Sequence, residues 1–200
     1  MVTSPVHLGI AGTHGTDTTR LAHRIEMELR ATGLAVTRVG GLAKRAADLG
    51  FPKMTRHTPA STEWIIAFGT AAALEAGLGC DVVIVDGTAH TALAYYLAAA
   101  EHRGHQPALA DLDRLTALAE LHTSRQALIL ATVLDPDAPF DTPAGKDPDY
   151  PDTAFRARVD RHLHQLLKEQ RPDYLPVLRA EHAAAVQAAV ATALNVLETP

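Results

Sequence analysis

GIAGTHGTDTTRL, residues 9–21, is the stretch on which the fold turns. The apolar run Val6 to Ala11 leads into Gly12-Thr-His-Gly-Thr-Asp-Thr-Thr19. A helical stripe follows at Leu21, Ala22, Ile25 and Leu29. Strand, glycine-rich turn and helix in that order make a phosphate-binding loop, whose usual pattern is G-x-x-x-x-G-K-[ST]. On that template Gly12 is the first glycine, and Thr13, His14, Gly15 and Thr16 fill the span. Thr19 is the hydroxyl that would hold magnesium. Asp17 stands where the second glycine belongs, and Thr18 where the lysine belongs. The stretch therefore specifies the fold of a nucleotide-binding protein more strongly than it specifies nucleotide binding.

Both departures act on charge. Such a loop works because successive backbone N–H groups and a helix N-terminus form an anion site. The lysine adds a point charge on the outer phosphates. Thr18 removes that charge, and Asp17 adds one of the wrong sign. At an effective dielectric near 20, two like charges about 4–5 Å apart repel by roughly 3–4 kcal/mol. Aspartate is also a preferred N-cap, so its carboxylate is expected to take up the free N–H groups of the helix itself.

The chain has 200 residues, enough for one domain spanning 1–200 with a sizeable core. Its formal net charge is −5 and it carries no basic tract, which gives no support to a nucleic-acid partner. Apolar runs are interrupted well short of a membrane span. MVTSPVHLG lacks the pattern of a signal peptide, so a cytoplasmic protein is expected. The single cysteine, Cys80, excludes an internal disulfide and a cysteine-based zinc site. Of the eleven histidines, His162/His164 and His102/His105 come in near pairs, and both pairs read as surface residues.

Strand-like runs bounded by turns alternate with helical segments. The spacing predicts strands at 6–11, 34–39, 81–86, 126–133 and 174–178. It predicts helices at 18–32, within 40–50, and at 58–77, 93–103, 108–123, 153–170 and 181–197. DVVIVD, residues 81–86, is the clearest buried strand, with four consecutive branched apolar residues between acids. The alternation implies a three-layer α/β/α fold around a five-stranded parallel sheet, with a ligand crevice at the strand C-termini. Residues 134–151 hold five prolines and five aspartates, too long and polar for a simple connection, and read as a lid or flexible loop. Asp86 ends the third strand as a magnesium-organising acid should.

Together, IAGTHGTDTT, STEWIIAFGTAAALEA, DVVIVDGTAHTALAYYLA and TAFRARVDRHLHQLL resemble the NadR-type AAA-domain P-loop kinases, relatives of nicotinamide riboside and nucleotide kinases. The resemblance covers nearly the whole chain. It implies phosphoryl transfer from ATP with Mg2+ to a nucleoside or similar acceptor, on a five-stranded parallel sheet with a mobile lid. Gly12, Thr13, His14, Gly15, Thr16 and Thr19 match the family loop, whereas Asp17 and Thr18 do not. Asp86 matches the strand-end acid and pairs with Thr19 as the metal half. Gly87 stands at the family's arginine and Thr91 at its second aspartate. Thr62, Glu63 and Trp64 match the helix beside the acceptor site, with Arg45 as a substrate-side arginine and His90 near the crevice. Lys146 falls where lid members carry an arginine, and Arg156 and Arg158 lie on the helix after the lid, in reach of a γ-phosphate. Lys44, Lys53 and Lys146 are the candidates for a relocated phosphate lysine.

Three readings stand open. The first is a kinase-like pseudoenzyme that binds a small molecule in the crevice, or acts as a homodimer or as the partner of an active relative. The second is a working phosphotransferase with a phosphate site rebuilt from Lys146, Arg156 and Arg158. The third is a crevice turned to metal or acid/base chemistry, with His14, Asp17, Asp86 and His90 gathered at the strand ends.

Overall fold

The computed structural model describes residues 4–138, 140, 148–150 and 152–199. Five strands, β1 (Val6–Ala11), β2 (Val36–Val39), β3 (Val82–Asp86), β4 (Gln126–Thr132) and β5 (Leu175–Val177), form one all-parallel sheet in the order β2-β3-β1-β4-β5. The three longest runs, β3, β1 and β4, take the centre and are the most buried, as a sheet covered on both faces requires. β1 lies between β3 and β4, with Ile10 level with Asp86 on one side and Leu130 on the other.

Seven helices cover the sheet: α1 (Thr18–Ala31), α2 (Leu42–Asp48), α3 (Pro59–Ala76), α4 (Ala89–His102), α5 (Leu109–Thr123), α6 (Thr153–Gln170) and α7 (His182–Glu198). One face buries Leu21, Ile25 and Leu29 of α1 and Ala185, Val186 and Ala189 of α7 against Leu8, Ile10 and Ile84. The other face buries α3, α4, α5 and α6 around Leu93, Ile129, Phe155 and Leu163. α3 starts as its sequence dictates, with Pro59 in the first turn and the Thr58 hydroxyl accepting from the Ser61 N–H at 3.2 Å.

Several boundaries differ from expectation. α4 begins at Ala89, four residues before Leu93, because Thr88 caps it and the first turn buries His90 instead of an apolar residue. β2 starts two residues late and β5 is three residues long. His162 and His164 are not simple surface residues. His162 pairs with Glu101 at 2.7 Å, and His164 meets the Tyr174 hydroxyl at 3.1 Å. Among the described residues no helix is long and apolar enough to cross a membrane.

Candidate functional site

The loop leaves β1 at Ala11 and enters α1 at Thr18. Gly12 is needed for close approach: a Cβ there would overlap the Thr132 hydroxyl and the Thr18 methyl. The interior of the loop is tied by threonines. The Thr16 hydroxyl donates to the Thr13 carbonyl at 2.7 Å and lies 2.6 Å from the Thr132 hydroxyl. Thr18 therefore spends its side chain on packing against Gly12, where a lysine would reach outward.

Asp17 adopts left-handed backbone, φ 61° and ψ 24°, the conformation that the usual glycine takes without strain. The expected cap is not made: no side-chain hydrogen bond joins Asp17 to α1. With φ positive, the carboxylate points away from the helix axis and sits exposed, 4.0 Å from Arg179. The consequence for chemistry is large. The N–H groups of Gly15, Thr16, Asp17, Thr18 and Thr19 have no acceptor among the described residues, so the backbone half of an anion cradle is intact.

His14 closes the tip. Its backbone N–H donates to the Tyr95 hydroxyl at 3.0 Å, and its Nδ1 lies 2.7 Å from that oxygen. Its Nε2 lies 3.0 Å from the Tyr150 carbonyl. The pattern is that of an imidazole accepting from the phenol at Nδ1 and donating from Nε2. Burial keeps the Tyr95 hydroxyl protonated, its pKa pushed up to about 12. Phe140, Tyr150, Tyr95 and Phe155 ring the imidazole.

Among the described residues Arg156 is the one buried cation at the loop, 6% exposed. Its Nε donates to the His14 carbonyl at 3.3 Å, and its guanidinium lies 3.8 Å from the centre of the Phe140 ring, over Gly15. It makes no ion pair among the described residues, and burial lowers its pKa. Arg158, two residues on, faces elsewhere and pairs with Glu101 of α4 at 3.4 Å. Of Arg156 and Arg158, only Arg156 reaches the loop. Lys146 lies outside the described residues. Lys44 is spent on Asp48 at 2.6 Å.

Of the expected metal pair, Asp86 is already engaged. Asp86, its side chain 8% exposed, pairs with Arg38 of β2 at 3.2 Å, and Arg38 also holds Glu26. Thr19 is exposed on the first turn of α1. A resident magnesium does not fit this donor set, because the carboxylate that would hold it is already neutralised. The four residues of the third reading do not converge either. His14 faces Tyr95, Asp17 faces Arg179, Asp86 faces Arg38, and buried His90 meets Gln170 at 2.7 Å. Among the described residues no group of three or more His, Cys, Asp or Glu could hold a metal ion. Burial holds His90 and His57 neutral, each with its pKa lowered to about 4.

The expected acceptor residues are likewise split. Trp64 stacks on Phe68 at 4.9 Å, Arg45 lies over the same Phe68 ring at 4.2 Å, and Phe51 abuts Trp64. These four form one aromatic and cationic wall. Glu63 leaves it for Arg114 of α5, and the Thr62 hydroxyl turns back to its own helix at the Thr58 carbonyl. A groove of about 310 Å³ runs beside the loop, lined by Thr16, Asp17, Leu134, Asp135, Arg179 and His182 among others. Nothing along the chain pointed to Arg38, Arg179 or Thr132, since a lone polar residue in a strand or turn carries no motif. Tyr95 was visible only as part of LAYY.

No family model and no curated protein matches the chain. Solved structures share its fold. A thymidylate kinase from Ehrlichia chaffeensis matches over 93% of this chain and 99% of its own, with TM-score 0.61 and 14% identity. A thymidylate kinase from Candida albicans matches over 98% and 94%, with TM-score 0.65 and 13% identity. A NadR protein in complex with NR matches over 93% of this chain and 51% of its own, with TM-score 0.64 and 14% identity.

Proposed function

Starting from a fold shared with nucleotide kinases, we propose that this chain binds a phosphate-bearing small molecule at Gly12–Thr19 without serving as an ordinary kinase. Arg156 carries the reading. A buried guanidinium that makes no ion pair among the described residues, with only Asp160 of its own helix acting on it from beyond contact, favours an anion beside it. Here it stands over a loop in which the N–H groups of Gly15 to Thr19 have no acceptor among the described residues. The groove toward Arg179 and His182 takes the body of the ligand, with Phe140 and Tyr150 beside the loop; the rest of the expected lid, 139, 141–147 and 151, lies outside the described residues. Phosphoryl transfer needs charge neutralisation around the moving group. With Thr18 packed inward, Asp17 opposing and Asp86 held by Arg38, little of that is provided. ATP is a candidate ligand in this reading, and Mg2+ is not needed for binding. A homodimer, or a complex with an active relative, is the setting in which such a binder would act.

Calorimetric titration with ATP, with and without magnesium, tests this. Binding that is indifferent to magnesium, without ATP consumption, is the expected result. No binding of ATP or pyrophosphate by the natural protein overturns the reading. The second reading, a working phosphotransferase, draws on the same Arg156. Magnesium-dependent ATP turnover that is lost in Arg156→Ala would establish it instead.

A further inference from the structure

On the same face of α6 as Arg156, and behind the phosphate loop, lies a nearly buried acid–base pair. Asp160 follows Arg156 by one helical turn and His164 follows Asp160 by another. Their side chains are 16% and 13% exposed, and the His164 Nε2 lies 3.7 Å from the Asp160 carboxylate. Both are tied to the ends of the neighbouring strands. The Leu134 N–H, two residues past β4, donates to Asp160 at 3.0 Å, and Leu134 itself lines the groove beside the loop. The His164 Nδ1 lies 3.1 Å from the hydroxyl of Tyr174, just before β5, and its Nε2 lies 3.4 Å from the Thr132 carbonyl. The Thr132 hydroxyl in turn meets that of Thr16 in the loop at 2.6 Å. The pair therefore touches the groove wall directly and the anion cradle through one threonine.

Few charges act on Asp160 among the described residues. Arg156 and His164 lie on its own helix, Tyr174 faces it from beside β5, and β4 leads to the Leu134 N–H alone. α4 packs along α6, but its Glu101 is taken by Arg158, Arg161 and His162 on another side of the helix. Burial raises the pKa of Asp160 above the ordinary carboxylate value, and His164, the Leu134 N–H and Arg156 oppose that rise. Arg156 is thus one of three supports of the Asp160 charge. An anion arriving beside Arg156 offsets that support and places a second negative charge nearby. Both changes favour a proton on the pair, at the carboxylate or at the imidazole. The surroundings accept either form. A neutral imidazole donates from Nε2 toward Asp160 and accepts from the phenol at Nδ1; an imidazolium donates at both nitrogens, with the phenol oxygen as acceptor.

We infer that the Asp160–His164 pair takes up a proton when an anion enters beside Arg156, so that the site binds its ligand and a proton together. This rests on the anion reading of Arg156 and adds a positioning pair to it, acting through that arginine. Linkage fixes the sign in the other direction: protonating the pair tightens anion binding, and an ionised Asp160 opposes it.

Calorimetric titration of the full chain with pyrophosphate between pH 5 and 8, in buffers of unlike ionisation enthalpy, tests this. Pyrophosphate itself titrates in that range, so the natural protein is compared with Asp160→Asn, for which the ligand's own contribution is the same. The asparagine keeps a carbonyl oxygen for the Leu134 N–H and carries no charge. At pH 8 it is expected to bind pyrophosphate about fivefold more tightly than the natural protein, because a negative charge one turn from Arg156 is gone. That advantage is expected to shrink as the pH falls toward 5, and the natural protein is expected to take up more protons per ligand than the variant. The natural protein alone supplies a second readout, which stands if the variant does not fold: the titration midpoint of the Asp160 carboxyl carbon or of the His164 ring, followed by NMR, is expected to rise on saturation with pyrophosphate. An affinity ratio that is constant with pH, or midpoints that pyrophosphate leaves in place, overturns the inference and leaves the anion site standing. No binding of pyrophosphate by the natural protein removes the anion reading, and this inference with it.

Discussion

The phosphate loop and the end of β3 sit side by side at the same edge of the sheet, and they have fared differently. At the loop, two side chains of the usual pattern are replaced, yet among the described residues the N–H groups of Gly15 to Thr19 have no acceptor and Arg156 lies over them. At the end of β3, the expected acid is present, yet Asp86 is held by Arg38 at 3.2 Å. The stretch with the altered sequence keeps a row of N–H groups without acceptors among the described residues, and the strand end with the expected acid holds that acid in an ion pair. The lesson concerns where chemistry is stored. A cradle of backbone N–H groups is set by chain direction and survives side-chain exchange. A carboxylate works only if nothing nearby neutralises it.

The largest test of that contrast is to restore the loop. Asp17→Gly/Thr18→Lys removes a repulsion and adds a cation, together about 4 kcal/mol or roughly a thousandfold in ATP affinity. Calorimetry reads the gain. An unchanged affinity would mean that the cradle itself is closed, and the contrast fails.

Acid probes the supports behind each region. His57 lies 6.3 Å from Tyr95 behind the loop, and His90 sits in the first turn of α4 beyond β3. Both have folded pKa values of about 4, below the unfolded 6.5. Folding therefore favours their neutral forms. Stability from this source is level above pH 6.5 and falls as pH drops toward 4, by about 3 kcal/mol per histidine. Urea denaturation near pH 7 and at about pH 4.5, with His57→Gln and His90→Gln in turn, should show the acid loss shrinking in each variant. An equal loss in all three proteins would remove these histidines from the account.

Arg156→Ala comes next. It should weaken pyrophosphate binding by about 2 kcal/mol, roughly thirtyfold, with Arg156→Lys recovering only part because a point charge does not reproduce the stacked fork. Arg158→Ala, whose partner is Glu101, should leave binding unchanged. Equal effects would dissolve the distinction between the two arginines.

The smallest expected effect is at Arg38. Arg38→Gln frees Asp86 and should raise magnesium affinity in a titration followed by thermal melting, while lowering stability by about 1 kcal/mol because the pair is partly exposed. No change in the magnesium response would mean that Asp86 is unsuited to a metal for some further reason.

Much of this was legible in the chain. The strand–turn–helix at 6–31, the buried VVIVD run and the uninterrupted helix of 153–170 follow from local patterning, and each element formed where apolar spacing placed it. Those elements in that order imply a parallel sheet. The position of the phosphate loop was equally readable, since its backbone path depends on glycines and on what precedes and follows it. The substitution of the lysine was plain for the same reason.

What the sequence could not show depends on partners far apart along it. Asp17 was expected to cap α1, but whether it caps or turns to Arg179 depends on a backbone angle and on a residue more than 160 positions away. Asp86 gave no sign of Arg38, nor His14 of Tyr95 and Tyr150. Arg156 and Arg158 are indistinguishable in sequence and are separated only because α6 turns one toward the loop and the other toward α4. Sequence determines elements through short-range periodicity and backbone preference. Only tertiary structure decides which charges meet, because electrostatic pairing and burial act through space between residues whose separation along the chain carries no signal.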